Sequence, residues 1–147
     1  PMPHGHMYLT AIIDWYSRKL VGHYLSDSLE AEYVIHAVKE TVEKCGTPAI
    51  INSDQGSQFT SDDYKELLRR LNIRQSMDGR SRWADNIMIE RWFLSLKTEQ
   101  LYPNEYRTPR ELRQLINQYV EDYNSIRPHE ALGYKVPDEF YFGCFAA

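Results

Sequence analysis

The stretch IINSDQGSQF, residues 50–59, begins as a buried strand and closes on a carboxylate. Two isoleucines lead through Asn52 and Ser53 to Asp54, and Gln55 and Gly56 then stop the run. Two readings of Asp54 are open. Asp and Gly are common where a strand turns, because the Asp side chain hydrogen-bonds nearby backbone and Gly tolerates unusual dihedrals. A carboxylate at the carboxyl edge of a sheet is also where open α/β folds place their ligands.

The segments around this strand decide its setting. Upstream, MYLTAIIDWYS and KLVGHYLSD read as two strands spaced for an antiparallel hairpin, with Ser17 and Arg18 between them. DSLEAEYVIHAVKETVEKCG places apolar residues at 31, 34, 38, 42 and 45, which is helical spacing. Asp27 with Glu30 forms a predicted capping pair, and Gly46 stands where a helix stops. Downstream, Thr60 or Ser61 opens a helix through Leu71, and NIRQSM is a last short strand. DGRSRWAD, residues 78–85, reads as a mobile loop. Helical pattern resumes near Asn86 and runs to about Leu101, stopped by Pro103, which has no N–H to continue the ladder. Pro109 suits the first turn of PRELRQLINQYVEDYNS, whose Leu112, Ile116, Tyr119 and Tyr123 share one stripe. Pro128 and Pro137 punctuate an irregular tail. Hairpin, helix, strand, helix, strand, then helices is an α/β order with a mixed sheet, predicted as a single layered domain over residues 1–147.

Composition sets the outer bounds. A chain of 147 residues with 42% apolar and 26% charged residues is an ordinary globular domain. No apolar run approaches bilayer length, and PMPHGHMYLT lacks the basic start and apolar middle of a signal peptide, so a reducing, cytoplasmic compartment without membrane contact is expected. Cys45 and Cys144 form no metal-type cluster. The net charge of −4 is unevenly spread. Asp27 to Glu66 holds nine acids against three lysines, whereas Arg69 to Lys97 holds seven bases against three acids. A local basic footprint on an acidic body is compatible with nucleic acid, although basic residues in a loop and helix are ordinarily solvated surface.

A second carboxylate stands in DNIMIERWFLSLKTE. At about 100° per residue, Ile89, Trp92, Phe93 and Leu96 cluster on one apolar face, and Asn86, Glu90 and Lys97 fall within roughly 40° of each other beside it. Glu and Lys on a helix ordinarily form a solvated face with marginal pairing. Asp54 and Glu90 are separated by 35 residues, with a glycine-containing loop and basic residues between them.

With these residues in order, the chain resembles the integrase-like catalytic cores of bacterial insertion-sequence transposases, relatives of retroviral integrase within the DDE superfamily. The resemblance rests on LTAIIDWYSRKLVGH (9–23), SDQGSQFTS (53–61), SMDGRSRWADNIMIERWFLSLKTE (76–99) and YNSIRPHEALGYKVPDEFY (123–141). It implies a ribonuclease H-like fold and DNA transposition by two-metal phosphoryl transfer, with three carboxylates holding Mg²⁺ or Mn²⁺. Asp54 maps onto the second carboxylate and Glu90 onto the third. Asn86 and Lys97, with Arg80 and Arg82 in the preceding loop, map onto positions near DNA, where basic groups neutralise phosphate charge. The implied partners are transposon-end and target DNA and further copies of the chain.

The family's first carboxylate sits on a central strand just before the hairpin, in a stretch resembling TDITY, and PMPHGHMYL resembles the residues that follow it. The chain is therefore expected to lack that Asp and its strand, to cleave DNA weakly or not at all, and to leave strand edges that another segment or a second copy fills. Asp14 is instead the family's hairpin-turn aspartate, predicted to cap the turn beside Ser17 and Arg18. His36 is expected to be a packed or surface histidine, and Arg127 and His129 structural or DNA-proximal. Two competing readings are a non-catalytic DNA-binding or assembly module and a ribonuclease H-type nuclease.

Overall fold

The computed structural model describes residues 5–77, 87–129, 132–139 and 141. The predicted hairpin is present as β1 (Tyr8–Ile13) and β2 (Leu20–Ser26), rich in the β-branched and aromatic residues that suit a pleated surface. The strands pair antiparallel from Tyr8↔Ser26 to Ile12↔Gly22, with a register shift at Ile13. Asp14 holds the connecting turn as predicted: its carboxylate accepts from the Ser17 N–H at 2.9 Å and from the Ser17 hydroxyl. Arg18 follows at φ 64°, a left-handed conformation uncommon outside glycine.

Helix α1 (Ala31–Cys45) buries Val34, Ala37, Val38 and Thr41, and Gly46 ends it at φ 89°. The predicted Asp27–Glu30 capping pair does not form. Helical dihedrals begin only at Ala31, so Glu30 is itself the N-cap and makes no side-chain cap bond. Ser28 Oγ accepts the Glu30 N–H instead, at 3.2 Å.

Strand β3 (Ile50–Ser53) pairs in parallel with β4 (Arg74–Met77), from Ile50↔Arg74 to Ser53↔Met77. A parallel pair needs a crossover, and α2 (Ser57–Thr60) with α3 (Asp62–Arg70) provides it. Ser61 caps α3 by accepting from the Tyr64 N–H at 3.3 Å, as its position predicts. Where a mixed sheet is expected, the strands among the described residues form two separate pairs, one antiparallel and one parallel.

The apolar run after residue 86 forms α4 (Ile87–Leu96) and continues as a π-helical turn over Lys97–Leu101. Helix α5 (Pro109–Ser125) starts with Pro in its first turn. Thr108 Oγ1 accepts from the Glu111 N–H at 3.2 Å, and the Glu111 carboxylate accepts from the Arg107 N–H at 2.9 Å.

The hairpin is the middle layer, and its period-two alternation decides what each face meets. Leu9, Ala11 and Ile13 pack toward a core of Trp92, Leu96, Leu112, Ile116, Tyr119 and Tyr123 from α4 and α5. Ile12 points the other way, into a second core of Val34, Val38, Tyr64, Leu67, Leu68 and Ile73. On β2, Tyr24 stacks with Tyr33 of α1 (ring centroids 5.8 Å apart), whereas His23 reaches Asn117 of α5 at 2.8 Å. All four residues of the predicted α5 stripe are buried. His36 is exposed beside Glu40 and the Tyr24 ring, a surface residue as expected.

Candidate active site

Asp54 leaves the carboxyl end of β3 and is exposed. Its Oδ1 accepts the Gly56 N–H at 2.8 Å, and Ser53 Oγ donates to the Asp54 carbonyl at 3.0 Å. Local turn chemistry is therefore real here, and it uses one carboxylate oxygen. Oδ2 has no hydrogen-bond partner among the described residues. A Cβ at position 56 would lie 3.0 Å from Asp54 Oδ1 and 2.8 Å from Gln58 Oε1, so glycine lets the backbone reach the carboxylate.

Glu90 stands exposed on the first turn of α4, and Lys97 is exposed where the π turn begins. The predicted apolar face holds: Trp92 and Leu96 are buried, and Ile89 and Phe93 pack against them. Asp54 thus belongs to the half of the molecule built on the second core, and Glu90 and Lys97 to the half built on the first. Arg80, Arg82 and Asn86, with the predicted DGRSRWAD loop, lie outside the described residues. Among the described residues, no three His, Cys, Asp or Glu side chains are grouped as metal ligands.

Long-range polar ties that sequence spacing does not announce set the helix bearing Glu90 and Lys97. Glu99, in the π turn, receives the Tyr119 hydroxyl at 2.9 Å and pairs with the Arg127 guanidinium. Arg127 also donates to the Tyr119 oxygen at 3.3 Å. Hydrogen bonding from Arg127 holds the Glu99 carboxyl below its usual range, against a smaller effect of burial. Gln100 Nε2 donates to the Leu115 carbonyl at 2.9 Å, a second tie between the π turn and α5. The structural reading of Arg127 is thus met by its bonds. His129 bridges to Lys135 through backbone in the turn that follows.

Solved integrase cores share this fold. The catalytic core domain of BIV integrase superposes with a TM-score of 0.77 at 18% identity, covering 95% of this chain and 88% of that one. The HTLV-2 integrase catalytic core domain, solved in complex with magnesium in a dimeric form, gives 0.68 at 18% identity, covering 95% and 97%. An α/β core of this architecture is a ribonuclease H-like fold. Two models, each described as an integrase core domain, match residues 1–82 and 71–137. The chain belongs to the integrase core domain family. It is 34% identical over 146 residues to the transposase for insertion sequence element IS904 of Lactococcus lactis, covering 95% of this chain and 56% of that protein. It is 32% identical over 139 residues to the transposase InsF of Escherichia coli, covering 92% and 48%. The chain therefore spans about half the length of the transposases it matches.

Proposed function

We propose that this chain is the catalytic core of an insertion-sequence transposase that cleaves and joins DNA strands by metal-dependent phosphoryl transfer in the bacterial cytoplasm. The observation that carries the reading is similarity to transposases over nearly the whole chain, through the stretches bearing Asp54 and Glu90. In this reading residues 1–147 act as one domain, and the chain works as a homo-oligomer on transposon-end and target DNA.

Asp54 and Glu90 would hold Mg²⁺ or Mn²⁺. Their exposed carboxylates, and the free Oδ2 of Asp54 among the described residues, fit a cation that takes hard oxygen ligands. The bound metal would supply activation of a water or a 3′-hydroxyl and stabilisation of the leaving oxygen. The chain's own part is orientation and charge. The Gly56 N–H fixes one oxygen of Asp54 and so aims the other. Lys97 supplies positive charge for a backbone phosphate on the stripe that carries Glu90, and Arg80, Arg82 and Asn86 extend that contact.

The test is nicking and strand transfer on a DNA substrate with Mn²⁺. It is run on a form of the chain lengthened upstream by a strand resembling TDITY. Activity in the lengthened form that disappears in Asp54→Asn and Glu90→Gln is expected. A lengthened form that stays inactive, or activity indifferent to both substitutions, overturns the assignment.

A further inference from the structure

A cleft of about 410 Å³ opens between the hairpin turn, α4 and the end of α5. Arg18, Arg91 and Arg127 line it, and only Arg127 has a carboxylate partner among the described residues. Trp92, 2% exposed, also lines it, and its buried indole N–H finds no acceptor among the described residues. The His129 ring closes one side, its Nε2 buried and likewise unpartnered. Burial, then the charges of Arg18 and Arg127, hold that imidazole below its ordinary pKa.

Such a wall is rich in donors and cations. An unpartnered buried donor is unfavourable, and two guanidiniums that form no ion pair among the described residues attract anions. A phosphate is the anion whose oxygens match several N–H donors at once. The cleft lies on its own face of α4. At 100° per residue, positions 87, 88, 91, 92 and 95 centre roughly 130° to 150° away from Glu90 and Lys97.

We propose that this cleft is a second phosphate-binding site, apart from the carboxylates, that takes a backbone phosphate of DNA through Arg18, Arg91 and the Trp92 indole N–H. The DNA source rests on the proposed function, whereas the phosphate chemistry rests on the cleft alone. A cleft this size admits a phosphodiester with its flanking sugar.

The Trp92 indole N–H signal in a nitrogen–proton correlation spectrum, assigned with Trp92→Phe, reads the site directly. Titration of the chain with inorganic phosphate, and separately with a short DNA duplex, in a phosphate-free buffer should move that signal saturably in both arms. Arg91→Gln and Arg18→Gln should each weaken the response at least about tenfold, with the rest of the spectrum unchanged. Arg113→Gln, an exposed α5 position outside the cleft, should leave it as in the parent. A Trp92 signal indifferent to phosphate, or arginine variants that respond like the parent, overturns the site. A response to phosphate without one to DNA overturns the DNA source. The titration needs no catalysis, so saturable shifts in an Asp54→Asn chain support the cleft even where strand transfer fails.

Discussion

Replacing Asn124 by alanine removes a side chain that stands in for a neighbouring strand. Its Oδ1 accepts from the Leu20 N–H at 2.9 Å, and its Nδ2 donates to the Leu20 carbonyl at 3.0 Å. One amide thereby pairs both backbone groups at the start of β2. Leu20 is 3% exposed and Asn124 7%, so water does not reach these groups in the folded chain. Each buried group left unpaired costs about 1–3 kcal/mol. Two of them, softened by some entry of water into the space vacated, give an expected loss of about 2–4 kcal/mol. Urea unfolding followed by far-ultraviolet circular dichroism measures this as a lower midpoint at unchanged slope. Asn124→Leu separates bonding from packing, since it refills the volume and restores neither bond, and it should lose a similar amount. A loss below about 0.5 kcal/mol in Asn124→Ala, or recovery in Asn124→Leu, would refute the assignment of this energy to hydrogen bonding.

Two further outcomes follow from the same two cores. In Gly22→Ala the new Cβ would stand 1.9 Å from Thr41 Oγ1, where β2 crosses α1, and overpacking of this kind costs about 1–3 kcal/mol. Thermal melting should show that loss and its partial recovery in Gly22→Ala with Thr41→Ala, and a single variant melting with the parent would contradict it. Burial pushes the Tyr64 hydroxyl up to about 12 in a side chain 1% exposed. The folded value lies above the unfolded value of about 10, so the stabilisation is complete below pH 10 and is lost as pH rises to about 12. Tyr64→Phe should make stability fall less steeply between pH 10 and 12, and an unchanged slope in denaturant titrations would count against it.

Local pattern made most of the fold legible. The α5 stripe was readable because Leu112, Ile116, Tyr119 and Tyr123 repeat at helical spacing, and all four are buried. Ser61 and Pro109 announced helix starts through chemistry confined to one turn. The Asp27–Glu30 pair misled because a capping pattern fixes only a spacing, and the chain leaving β2 turns helical three residues later than that spacing assumes. The short helix α2 was missed because SQFT, four residues long, has too little periodicity to register. At the candidate site, Asp54 and Glu90 were legible as residue types in the right elements. The ties from Leu20 to Asn124 and from Glu99 to Arg127 span 104 and 28 residues, and no local pattern encodes either. The only trace of the first is a polar residue, Asn124, directly following the stripe's last tyrosine.

These ties bear on function because α4 serves two faces at once. Trp92 and Leu96 anchor it in the core, which fixes its rotation about its axis. With the rotation fixed, Glu90 and Lys97 are presented on one side and Arg91 on another. The π turn adds a residue to the helical repeat directly after Lys97, and Glu99 within it is the residue that Arg127 and Tyr119 hold. Arg127 therefore pins the end of α4 with one edge of its guanidinium while contributing to the basic wall of the cleft. Through Asn124, the same helix α5 holds the start of β2, two residues after Arg18. The hairpin turn, α4 and the end of α5 are thus fixed to one another by bonds that use neither Arg18 nor Arg91, so these two need not be held by acids within the cleft. That leaves both guanidiniums available to a bound anion without loosening the fold.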